Sequence, residues 1–251
     1  MVDTSSDRMW NAIRAWTMNL EDYPGWKEWR RNRIGHTLYF EEAFATALQK
    51  YEAEFQFSEE VEKEHTIIIQ YIGLVEAVES LKDCEYYFRR YPFRGLPVSR
   101  HRHITNVCEM FFGRFYEMKE RIKKYFEAVS AVEPMHRLKI GAFIKKFDKI
   151  FEHELRERNL AHHHRRFEDI ATNHVLLTHL ISAADADKGW EREHLTAYRK
   201  LSNEWVQRVR RRGAQMDDFL EAIAAATLAT CSFLSALLPD EPKSSSLDRP
   251  D

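Results

Sequence analysis

The chain has 251 residues, among them eight glycines, seven prolines and three cysteines, and its formal charge is −2. Glycine plus proline at roughly half the usual share argues against sandwiches, barrels and other folds that need a turn every 8–12 residues or so. Hydrophobic residues at 44% and charged ones at 31% describe a globular protein and exclude a wholly disordered one. The length suits one or two domains. Cys84, Cys108 and Cys231 form no Cys-x-x-Cys pair, so the sequence supports neither a disulfide framework nor a cysteine-rich zinc site, and a reducing cytoplasm is the expected location.

The first ten residues carry Asp3 and Asp7 and no apolar run, which does not read as a secretory leader. Trp10, Trp16, Trp26 and Trp29 follow closely and predict a local aromatic core. A helix is expected over 37–54, with Leu38, Phe40, Phe44 and Leu48 inside. Another is expected over 58–88, where Ser58 can cap and Glu59, Glu60 and Glu62 suit the positive end of the helix dipole. The stretch 91–97 holds two of the seven prolines and is the best boundary candidate. Between 104 and 129, Ile104, Val107, Cys108, Phe111, Phe115, Met118, Ile122, Tyr125, Phe126 and Val129 recur at three-and-four spacing, the signature of one apolar helical stripe. Pro134 breaks the chain, and a second stripe runs over 138–155. Residues 167–183 read as a helix. The remainder, 190–238, reads as one long helix or two joined near Gly213. Its apolar end, 219–238, contains Glu221 and many small residues, so a buried helix is expected there rather than a membrane span. The predicted fold is all-α, a bundle of long antiparallel helices. It divides into an N-terminal helical region, 1–95, a helical domain, 96–238, and a disordered tail, 239–251.

Positive charge is segregated in this near-neutral chain. Arg89, Arg90, Arg94, Arg100, His101, Arg102 and His103 form one basic run. Arg156, Arg158, His162, His163, His164, Arg165 and Arg166 form a second, and six of the twelve histidines fall between His153 and His179. A solvated face is the ordinary meaning of such runs. Segregation of this kind is also what a phosphate-binding surface requires.

The second run contains Arg158-Asn159, then three residues, then His163. This resembles the Arg-Asn-x-x-x-His signature of the HEPN superfamily, and the amphipathic helices on either side agree with it. The resemblance implies a HEPN-like helical domain and either of two functions. One is metal-independent endoribonuclease activity in a homodimer, in the manner of a toxin or defence effector held by an antitoxin or another regulatory protein. The other is a non-catalytic module that binds RNA, nucleotide or a protein partner. It assigns Arg158, Asn159 and His163 to the site and calls for no cofactor. Cleaving RNA through its own 2′-hydroxyl needs a proton acceptor, a proton donor and positive charge on the phosphoryl oxygens. Histidine, with an ordinary pKa near 6.5, can fill either proton role, and arginine presents a charged planar fork to phosphate. On a straight helix Arg158 and His162 lie about 40° apart and Arg158 and His163 about 140°, so helical geometry favours His162 and the motif favours His163. A kink near Asn159 or a site shared between two chains would reconcile them. Arg156, His164, Arg165 and Arg166, with Arg100 and Arg102 from the first run, are the expected RNA-contacting residues.

A different chemistry is suggested by Glu62-x-x-His65, Glu133-x-x-His136 and Glu191-x-x-His194, which match the Glu-x-x-His spacing of di-iron bundles. One of these segments begins beside Pro134 and another is embedded in charged residues. No metal ligands are therefore assigned.

Overall fold

The computed structural model describes residues 3–39, 55–163, 165–184 and 188–238. Among them the fold is all-α, a bundle of helices without strands. The helices are α1 (Ser5–Asn19), α2 (Trp26–Tyr39), α3 (Glu59–Arg89), α4 (Arg100–Val132), α5 (Ile140–Ile150), α6 (Glu152–His163), α7 (Ile170–Ala184), α8 (Lys188–Thr230) and the single turn α9 (Ser232–Ser235). The chain divides into two compact units. One comprises Met1–Ile68, Ala131–His136 and Glu221–Asp251, the other Ile69–Ser130 and Arg137–Leu220. Residues 91–97, the expected boundary, connect two helices of the second unit.

The first unit grows from local sequence signals. Thr4 and Asp7 form a capping box at the start of α1, which satisfies amides that the helix itself cannot. Glu221 adds a second acceptor there, taking the Ser5 and Ser6 amides and the Ser6 hydroxyl. Met9, Ala12, Ile13 and Trp16 are buried along one stripe of α1. Three of the four tryptophans join a local core, Trp16 through His65, which also meets Phe57. Trp26 stacks on Trp29 at 5.2 Å, and Phe57 packs against Tyr23, Trp26 and Phe55. Gly25 permits this. Its φ is +81°, and a Cβ there would sit 3.1 Å from the Phe55 ring, so a side chain would be both strained and crowded. Ser58 caps α3 as expected, accepting the Val61 amide at 3.3 Å. Of the helix expected over 37–54, residues 37–39 form the end of α2, and the rest lies outside the described residues, as does the 239–251 tail.

The second unit is built around α4. Every position of the predicted 104–129 stripe is buried. The α3 segment from residue 69 runs antiparallel to α4: Tyr71 packs near Tyr125 at 6.1 Å, while at the other end His103 Nε2 donates to the Tyr87 carbonyl at 3.0 Å. That bond satisfies an orphan carbonyl in the last turn of α3. The same segment is antiparallel to α8, with Phe88 stacked on Trp205 at 5.1 Å, Arg210 paired to Glu85 and Lys82 to Asp217. It follows that α4 and α8 run parallel, and Trp205 meets Phe111 and Phe112 at 5.6 Å.

Two expectations are refined. The 138–155 stripe is divided between α5 and α6 at Phe151, whose φ of −108° and ψ of 21° leave the α-helical basin. The bend seats the fully buried Phe151 ring against Phe115, Phe147 and Phe219. The 190–238 segment is one helix through Gly213 that stops at Thr230, because Cys231 is extended at φ −89°, ψ 102°. No helix among the described residues is long and apolar enough to cross a membrane. All three cysteines are buried and free.

Candidate functional site

Helix α6 carries the Arg-Asn-x-x-x-His motif in its last two turns, and its inner end is fixed by a buried ion cluster. Glu154 is completely buried and accepts from Arg208 Nη2 at 2.7 Å, Arg212 Nε at 3.0 Å and Arg212 Nη2 at 2.8 Å. Burial pushes the Glu154 carboxyl upward, but the two guanidiniums outweigh it and hold the group below its usual range. Arg208 also donates to His153 Nδ1 at 2.9 Å and lies 4.8 Å over the Trp205 ring, and Arg212 donates to Gln215 at 2.8 Å. Arg212 lies 5.4 Å over the Phe151 ring, so each guanidinium is both paired and stacked, the condition under which buried charge is tolerated.

One turn further along the same face, Arg158 emerges at the surface. Its guanidinium carbon lies 3.9 Å from the centre of the Tyr116 ring on α4, and its Nη1 donates to Asn159 Oδ1 at 3.2 Å. Tyr116 and Asn159 thus hold the half-exposed guanidinium, one on its face and one at Nη1. His162 and His163 are exposed at the end of the helix, their rings 4.7 Å apart. The helix is unbroken through Asn159, so there is no kink to bring His163 round to Arg158. His162 shares the Arg158 face and His163 projects from another. Beside Asn159 lies a cavity of about 350 Å³ lined by Lys119, Asp148, Glu152, Arg156 and the leucines 155 and 160. Lys119 is paired to Asp148 at 2.7 Å, and Arg156 reaches Glu157 at 3.6 Å.

The other expected contact residues are more scattered. Arg165 closes α6 through its amide, bonded to the Leu160 carbonyl at 3.0 Å. Arg166 turns back onto α4, bidentate to Glu109 at 3.2 Å and bonded to Asn106. His164 lies outside the described residues. Arg100 and Arg102 sit in the first turn of α4, about 24 and about 21 Å along the helix from Tyr116 at roughly 1.5 Å per residue, so they do not converge with Arg158. Arg102 is exposed, whereas Arg100 lies over the Tyr91 and Tyr198 rings at 4.9 and 5.9 Å. Among the described residues no three His, Cys, Asp or Glu side chains come together as a metal ion would need. The Glu-x-x-His segments lie on α3, just beyond α4 and on α8.

Sequence reasoning missed the Glu154, Arg208 and Arg212 cluster. The four-residue spacing of the arginines put them on one helical face, but nothing in the sequence joined that face to a glutamate more than 50 positions earlier. No protein-family model, curated protein or solved structure matches the chain.

Proposed function

We propose that the chain is a HEPN-like, metal-independent endoribonuclease that works as a homodimer. The observation that carries this reading is the half-exposed Arg158 fork, held by Tyr116 and Asn159 and followed by His162 and His163 on the same helix terminus. An extended polyanion can reach Arg158, Asn159, His162 and His163. In the proposed reaction a histidine takes the 2′-hydroxyl proton as that oxygen attacks phosphorus. The bond to the 5′-oxygen breaks, and a second histidine protonates the departing oxygen. The products are a 2′,3′-cyclic phosphate and a 5′-hydroxyl. Arg158 stabilises charge on the non-bridging oxygens, and Asn159 keeps the fork in plane.

Two symmetry-related motifs supply the two histidines and give His163 an arginine to face. Arg156 and Arg165 border the site and guide the RNA strand, and Arg166, committed to Glu109, holds the end of α6 against α4. A nuclease of this kind acts on RNA in the cytoplasm and needs a partner protein, such as an antitoxin, to restrain it.

The test incubates mixed RNA with the purified protein in EDTA. Fragments ending in 2′,3′-cyclic phosphate are expected, and Arg158→Ala and His163→Ala proteins that remain folded should not produce them. RNA that stays intact but binds in a salt-sensitive way would instead support the non-catalytic module. Cleavage by both variants would reject the assigned site.

A further inference from the structure

The α4 N-terminus opens onto a second group of polar side chains, separate from the motif. Its first turn reads Arg100-His101-Arg102-His103 and contains no acidic residue. Cations at the positive end of a helix dipole are unfavourable on their own. Ser99 caps the Arg102 amide at 3.1 Å, and the amides of Arg100 and His101 have no intrahelical acceptor.

Facing this turn, α8 contributes His194 and Tyr198, and α7 contributes His179. The His179 and His194 rings are 5.2 Å apart, and Arg100 lies over Tyr198, one turn beyond His194. His194 is only 4% exposed. Its Nδ1 lies 3.3 Å from Thr178 Oγ1, while Nε2, on the opposite side of the ring, is buried with no partner. His101 Nε2 is likewise buried and unpartnered. A buried polar nitrogen without a partner is costly, and each of these two, one in the same turn as Arg100 and the other one turn from the Tyr198 ring that Arg100 covers, lacks an acceptor.

We propose that Arg100 and His101 of α4, with His179 of α7 and His194 of α8, form a binding site for a phosphoryl oxyanion. The site takes either free phosphate or the terminal phosphate of a nucleotide. Arg100 supplies permanent charge, the α4 amides supply fixed donors, and the imidazoles donate once protonated. The surrounding charges agree with this. Burial holds His101 and His194 below the usual histidine range, and Arg166 and His179 add to this at His101, as His179 and Arg100 do at His194. Glu168 at His101, and the Val175 backbone and Glu191 at His194, oppose the shift without reversing it. Arg166 is already paired with Glu109 and stays outside the oxyanion's first contacts. An anion entering among these groups favours their protonated forms, so binding takes up protons and tightens as pH falls. This inference does not depend on the nuclease reading, because its probe and its readout do not involve RNA cleavage.

The experiment titrates sodium phosphate into the full chain at pH 6 and pH 8 and follows the histidine side-chain resonances by NMR. The His101, His179 and His194 signals are expected to shift together, with affinity at least tenfold higher at pH 6. Arg100→Gln and His179→Ala, both at partly exposed positions, should each weaken binding at least tenfold in proteins whose amide spectra stay native. Adenosine 5′-monophosphate, titrated in parallel, separates the two sources. Tighter binding than phosphate identifies a nucleotide site, and equal binding identifies a site for the phosphate alone. Histidine signals that do not move with either ligand, or unchanged affinity in both variants, would overturn the proposal.

Discussion

The Arg212 guanidinium grips the Glu154 carboxylate with two parallel hydrogen bonds, Nε to Oε1 at 3.0 Å and Nη2 to Oε2 at 2.8 Å, at a point where the glutamate is fully buried. Arg208 takes the same carboxylate from another direction at 2.7 Å. Removing Glu154 leaves two guanidiniums facing each other without their counter-ion. Glu154→Ala is expected to lower stability by about 3–5 kcal/mol, the range for breaking a buried pair from one side. Urea unfolding followed by circular dichroism measures this, and a loss below about 1 kcal/mol would show that the carboxylate is not the anchor of α6.

The same pairing fixes the sign of an acid effect. The folded-state pKa of Glu154 lies below its ordinary value, so the stabilisation it gives is fully present above about pH 4.5 and is lost as pH falls through the folded value. The urea midpoint of the native chain should drop from about pH 4.5 downward, and that of Glu154→Gln should change less over the same interval. Parallel titration curves for the two proteins would remove Glu154 from the list of acid-sensitive groups.

Because α6 is continuous, Arg158 and His163 of one chain diverge by about 140°, and the proposed chemistry needs Arg158 of one subunit and His163 of the other. Mixing separately inactive Arg158→Ala and His163→Ala chains is therefore expected to restore roughly a quarter of native cleavage. Half the dimers are mixed, and each mixed dimer keeps one site in which Arg158 and His162 of one subunit face His163 of the other. No recovery on mixing, combined with loss of cleavage in His162→Ala, would shift the proton-transfer role to His162 within a single chain.

Arg158→Lys separates charge from shape. Lysine keeps the positive charge but cannot present the planar fork or stack over Tyr116 in the same way. Cleavage is expected to fall at least tenfold while thermal stability changes by less than about 0.5 kcal/mol, as for a surface substitution. Native cleavage rates in the lysine variant would mean that charge alone is sufficient.

The cysteines make a simple probe of packing. Burial pushes the Cys84 and Cys231 thiols up to about 12, and Cys108 is raised well above its ordinary value. A disulfide reagent at pH 8 is expected to leave all three unmodified in the native protein and to label three per chain in denaturant. Rapid native labelling of any one would show that its segment opens readily.

The helices were legible in the sequence wherever one face was apolar. The 104–129 stripe predicted burial position by position, and Ser58 announced the start of α3. The turn at Phe151 was not legible, because a phenylalanine can continue a helix as well as end one, and tertiary packing decided between them. Arg158, Asn159 and His163 stood out because they are neighbours in sequence. His101, His179 and His194 did not, since the fold assembles them from three helices. The role of Arg166 was ambiguous for a related reason. A basic run records charge, and only the α4 surface revealed that Glu109 had claimed that arginine.

The long-range pairs of α3 also govern how the protein is made. Glu85 finds Arg210 across 125 positions, and Lys82 finds Asp217 across 135. A chain leaving the ribosome therefore finishes α3 and α4 well before α8 exists to cover Phe88 and Phe111. Until then, apolar surface that is fully enclosed in the finished fold stands open to water and to other nascent chains. A chaperone that shields the α3 and α4 pair until α8 emerges would limit that exposure.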